Sequence, residues 1–93
     1  MKENALIKSL KSINADYSEV SYLIVYYNRE NEEWFEYYKS LNPSYRDVSW
    51  LITCCKKAQT EEWFKYYKSL NPSDWDKAWL MERCPEAKEY FKN

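Results

Sequence analysis

Glycine and histidine are both absent from this 93-residue chain. Without glycine, the usual residue for tight hairpins, phosphate-cradling loops and flexible linkers is missing. Without histidine, the commonest general base and metal ligand is gone. Cysteine is scarce: there are three, two of them adjacent, and no disulfide framework follows. On a helix the side chains of Cys54 and Cys55 diverge by about 100°, and their adjacency lacks the separation that closes a tetrahedral zinc site. A reducing compartment suits them. Long apolar runs are missing as well. The opening Met1–Ile7 offers neither a leader nor a membrane span, so the expectation is a soluble cytoplasmic protein with no membrane partner. Nor is there an excess of either charge. The net charge is −1 with the signs interspersed, too little to neutralise a phosphate backbone or to imitate one.

These absences leave catalysis little to use. Cys54 is the more exposed thiol on a helical wheel and Cys55 falls on a core stripe, and a nucleophilic thiol needs a partner that lowers its pKa. The paired carboxylates Glu32-Glu33 and Glu61-Glu62 fit the electrostatics of helix starts. The sequence therefore predicts no enzyme, no cofactor, and no catalytic or metal-binding residues.

What the chain has in abundance is aromatic side chains, with five Trp and ten Tyr. Each can bury about 150–250 Å², which compensates for a short chain expected to form one domain over residues 1–93. The rings recur with the backbone signals around them. Ser12, Ser40 and Ser69 open three related stretches with a period of about 28 residues. Glu32–Leu41 and Glu61–Leu70 are nearly identical. The expected organisation is an N-terminal capping helix over 1–12 followed by units 13–40, 41–69 and 70–93, the last truncated as terminal repeats often are.

Each unit reads as two helices. The first is predicted to begin at a capping box, Asp16-x-x-Glu19, Ser44-x-x-Asp47 or Ser73-x-x-Asp76. The second begins after Asn31 or Thr60 and ends where Asn42 or Asn71 takes the left-handed cap conformation before proline. At about 100° per residue, Trp34, Phe35, Tyr37, Tyr38 and Leu41 make one wide buried arc, which Leu6, Ile7, Leu10 and Ile13 repeat in the opening helix. Val48, Leu51, Ile52 and Cys55 form the core stripe of the other helix, matched by Val20, Leu23, Ile24 and Tyr27. The fold class predicted is all-α, a compact stack of three two-helix repeats.

The pattern Trp50-Leu-Ile … Cys55 … Ala58 … Trp63, with Trp79-Leu-Met … Cys84-Pro85-Glu86-Ala87, resembles short tandem helical repeats of some bacterial and phage-associated proteins. Those repeats carry Trp-Leu-Leu, then Pro and Ala, then another Trp, at a similar period. The resemblance spans most of residues 13–93 and implies a helical repeat fold, with no function carried over.

A second stripe lies opposite the core on the first helix of each unit. Tyr22, Trp50 and Trp79 hold the same place in the three copies, with Tyr26, Trp75, Cys54 and Arg83 near them on the wheel. Aromatics and arginine anchor protein interfaces, so Tyr22, Tyr26, Trp50, Trp75, Trp79 and Arg83 are the candidate partner-binding residues. Packing between repeats is the competing role for the same stripe. The function expected is a non-enzymatic protein–protein interaction module. By analogy with small phage proteins that block host machinery, its specific form is a phage-encoded inhibitor of a host defence complex, of the anti-CRISPR kind. Two alternatives stay open. The Tyr-Tyr-Lys-Ser motifs at Tyr37-Tyr38 and Tyr66-Tyr67 are candidates for stacking on single-stranded nucleic acid, although neighbouring glutamates repel phosphate and favour rings at the arc's edge with hydroxyls near solvent. A self-associating scaffold, for instance a homodimer, is the other.

Overall fold

A computed structural model describes residues 4–92; Met1-Lys2-Glu3 of the expected capping helix and Asn93 lie outside the described residues. Among these the fold is all-α, with no strand. Seven α-helices follow one another: α1 (Ala5–Ser12), α2 (Tyr17–Tyr26), α3 (Glu32–Ser40), α4 (Tyr45–Cys54), α5 (Glu61–Ser69), α6 (Asp74–Arg83) and α7 (Pro85–Phe91), with a 3₁₀ turn at Lys56–Ala58 between α4 and α5. No helix among the described residues is long and apolar enough to cross a membrane. By packing, the chain divides into a first unit ending at Pro43 and a second beginning at Ser44.

In a chain without glycine the reversals need another residue, and asparagine supplies it. Asn14, Asn28, Asn42 and Asn71 all have φ between 54° and 57°. Asparagine tolerates this left-handed region best among residues with a Cβ. Each sits just past the C-terminus of α1, α2, α3 or α5, where the helix must be broken by a residue in that conformation.

Helix starts are equally explicit. Asn4, Asn31, Ser44, Thr60 and Ser73 each accept a backbone N–H of the first turn through the side chain, satisfying donors that a helix leaves unpaired. Among the described residues the reciprocal capping box forms only at Asp16, where Glu19 also reaches back to the Asp16 N–H. The boxes expected at Ser44 and Ser73 are therefore corrected to one-way caps. Their partner position holds aspartate, one methylene shorter than glutamate.

In the first unit α2 packs on α3, and Val20, Ile24, Trp34 and Tyr38 are buried together with Ile7 of α1. The expected core arc is corrected at its ends. Leu6, Ile13 and Tyr27 are exposed. Ile13 and Tyr27 are the C-cap residues of α1 and α2; each directly precedes a left-handed asparagine, so the 100° periodicity no longer governs their direction.

In the second unit α4 packs against both α5 and α6, and α7 against α5 and α6. Val48, Leu51 and Ile52 of α4, Trp63, Phe64 and Tyr67 of α5, and Leu80 of α6 are buried. Phe64 meets Tyr90 and Phe91 of α7 at ring-centroid distances of 5.6 and 6.3 Å. Cys55 and Cys84 are the buried C-caps of α4 and α6, in extended conformation, each donating its backbone N–H to the leucine carbonyl four residues back at 2.8 Å. The helical pattern across Cys54-Cys55 therefore stops at Cys54. Gln59 closes the end of α4 by donating its side-chain amide to the Ile52 carbonyl at 3.1 Å.

Candidate interaction surface

Helices α4 and α6 carry the same cap, a buried leucine in the same register and the same terminal cysteine. The outward side chains of the packed pair meet in a cleft of about 370 Å³, lined by Arg46, Ser49 and Trp50 of α4 and Trp75, Asp76 and Trp79 of α6. Trp50 and Trp79 are half-buried, whereas Trp75 is 69% exposed. Three of the predicted anchors thus lie in one concavity.

The polar side of the cleft is built around Asp76, which was predicted only as a capping residue. Its carboxylate accepts the Ser73 hydroxyl at 2.6 Å through Oδ2 and meets Arg46 Nε at 3.5 Å through Oδ1. The Asp76 side chain is only 7% exposed against 76% for Arg46. A carboxylate this enclosed is expensive to leave uncompensated, so Ser73 and Arg46 are both needed beside it. Ser49 is buried and donates its hydroxyl to the Arg46 carbonyl at 2.9 Å, which removes a polar orphan from the cleft wall. Arg46 was not singled out from the sequence, and Asp76 was not placed in a binding site. The available signal was that Arg46 holds the repeat position of Trp75, within the outward stripe.

Arg83, at the end of α6, lies over the Trp79 indole with its guanidinium carbon 4.2 Å from the ring centroid, and donates to the Trp79 carbonyl at 3.4 Å. This is close cation–π geometry. It holds an exposed arginine at the far end of the tryptophan wall.

Tyr22 and Tyr26 belong to the first unit. Their rings pair on the outer face of α2 at 4.5 Å, and the side chains are 52% and 61% exposed. Tyr22 also borders a shallow cavity of about 390 Å³ with Leu10, Ser18, Glu19 and Leu23.

The Tyr-Tyr-Lys-Ser motifs are placed otherwise than expected. Tyr37, Tyr38 and Tyr67 are buried, and Tyr66 is half-buried with its ring edge-on to Trp63 at 5.8 Å. Hydroxyls near solvent are corrected for two of them. The Tyr37 and Tyr67 hydroxyls are buried and have no hydrogen-bond partner among the described residues. Burial raises the pKa of both phenols, with Asp76 and Tyr45 adding to the effect on Tyr67. The wide arc of α3 and α5 draws these rings inward, and three of the four cannot stack on a base.

The thiols are no better disposed for chemistry. Burial pushes Cys54 and Cys84 above the ordinary cysteine range, the direction opposite to that of an activated nucleophile. No group of three or more metal-ligating side chains occurs among the described residues. Compared with known protein families, curated proteins and solved structures, the chain finds no match.

Proposed function

We propose that this chain is a non-enzymatic protein-binding module, a repeat protein of three two-helix units that engages its partner through the α4–α6 tryptophan cleft. One observation carries the reading: Trp50, Trp75 and Trp79 line a single concavity, and the most exposed of the three rings, Trp75, is open to solvent. Tryptophan and arginine dominate the energetics of protein interfaces when seated in preformed pockets. The equal lengths of α3 with α5 and of α4 with α6, the C-cap leucines Leu41 and Leu70 of the first pair and the N-cap serines Ser44 and Ser73 of the second support the repeat reading. A cytoplasmic inhibitor that occupies a surface of a host defence complex is the form of this function that the small, catalytically unequipped chain fits.

The test is capture of partners from a bacterial lysate on the immobilised chain, with and without nuclease, using the natural protein and Trp75→Ala. A defined protein that survives nuclease and is lost with Trp75→Ala supports the module. Recovery that vanishes with nuclease overturns it in favour of nucleic acid.

A further inference from the structure

Resting on the reading of the cleft as an interaction surface, we infer that its occupant is an acidic segment of the partner protein, with carboxylates flanking apolar side chains. The charges that line the cleft decide the sign. Its one carboxylate, Asp76, is enclosed, with Ser73 on one oxygen and Arg46 on the other, and offers nothing to a cation from outside. The accessible charge in the lining is the Arg46 guanidinium, and Arg83 adds a second just outside it, against the lining ring of Trp79. Arg46 contacts Asp76 through Nε while its side chain remains 76% exposed. Arg83 is exposed and is held flat against Trp79.

Both arginines are positioned in advance, one by an ion pair and one by ring stacking. This reduces the side-chain entropy lost on binding. A guanidinium presents its donors as a planar fork that matches a carboxylate in two parallel hydrogen bonds. Arg83 lies seven residues beyond Asp76 on α6, about 10 Å along the helix axis. The tryptophan wall therefore has a guanidinium towards each end and apolar surface between. A segment with two carboxylates around a leucine or phenylalanine satisfies all three regions. A basic segment places like charges opposite Arg46 and Arg83.

The experiment selects from a displayed library of random short peptides on the immobilised full chain, discarding peptides that bind Trp75→Ala equally well. The expected outcome is enrichment of Asp and Glu beside Leu or Phe. A synthetic peptide from that pool loses about tenfold or more in affinity with Arg83→Gln, or when its own glutamates become glutamine. Arg83→Gln removes no partner of a buried charge, and Arg46→Lys keeps a cation beside Asp76 while removing the fork. Both variants therefore test binding in a folded chain, checked by an unchanged helical circular dichroism spectrum. Trp75-dependent peptides without an acidic excess, or indifferent to Arg83→Gln, overturn the acidic segment and leave the interaction surface standing. A pool with no Trp75-dependent peptide overturns both.

Discussion

Asp76 is the carboxylate in the lining of the cleft. It caps α6 through Ser73, receives Arg46 from α4, and is nearly inaccessible to water. Asp76→Asn removes the charge that holds Arg46 and leaves the amide to find new partners. Expected is a loss of about 1–3 kcal/mol in urea denaturation, with Arg46 released from the cleft. The tyrosine hydroxyls give the opposite case. Those of Tyr37 and Tyr67 are buried without a partner among the described residues, so each contributes a desolvation cost with no hydrogen bond to offset it. Tyr67→Phe is expected to leave stability unchanged or raise it by up to about 1 kcal/mol, read as a shifted urea midpoint at unchanged slope. The same phenols set an alkaline limit. Their pKa values in the folded chain lie above the ordinary tyrosine value of 10.0, so the unfolded chain releases these protons first. Stability is complete below about pH 10 and declines as pH rises above it. Tyr67→Phe makes that decline shallower in denaturation curves taken across the range.

At the scale of the helix, the chain depends on caps in place of glycine. Asn71, at φ 57°, ends α5 in a conformation that penalises most residues with a Cβ. Asn71→Ala is expected to cost about 1 kcal/mol in thermal or urea unfolding, and Asn71→Gly to be neutral or mildly stabilising. The physical distinction is backbone strain, which alanine meets and glycine does not. These ends were legible in the sequence because Asn-Pro recurs at Asn42 and Asn71 beside nearly identical helices. The helix starts were legible for the same reason, since capping is a local interaction readable within four residues. Ile13 and Tyr27 were misread because a helical wheel extends the period past a C-cap, and their own asparagines, Asn14 and Asn28, are followed by no proline. The convergence of Trp50, Trp75 and Trp79 was only half legible. The wheel put each on an outward stripe, but that two such stripes face one cleft is set by how α4 packs on α6. The Arg46–Asp76 pair lay out of reach for the same reason, being a contact between residues thirty positions apart.

At the scale of the molecule, the chain joins a conventional interior to an unusual surface. Buried aromatics of α3 lie in the interior of the first unit and those of α5 in the interior of the second, while rings that a small helical protein would ordinarily bury stand open on α2 and α6. Scattered exposed apolar residues are normal; three indoles gathered in one concavity between flanking arginines are not. Burial holds the Cys54 and Cys84 thiols above the ordinary cysteine range, and the chain contains no histidine. Trp75→Ala separates binding from folding, because a residue that is 69% exposed adds little to folding. The decisive measurement is nuclease-treated partner capture by the natural chain and by Trp75→Ala, with the helical spectrum of each recorded. A defined protein partner is expected to be retained by the first and lost by the second, with spectra that superimpose. A partner retained equally by both would place binding elsewhere than the tryptophan cleft.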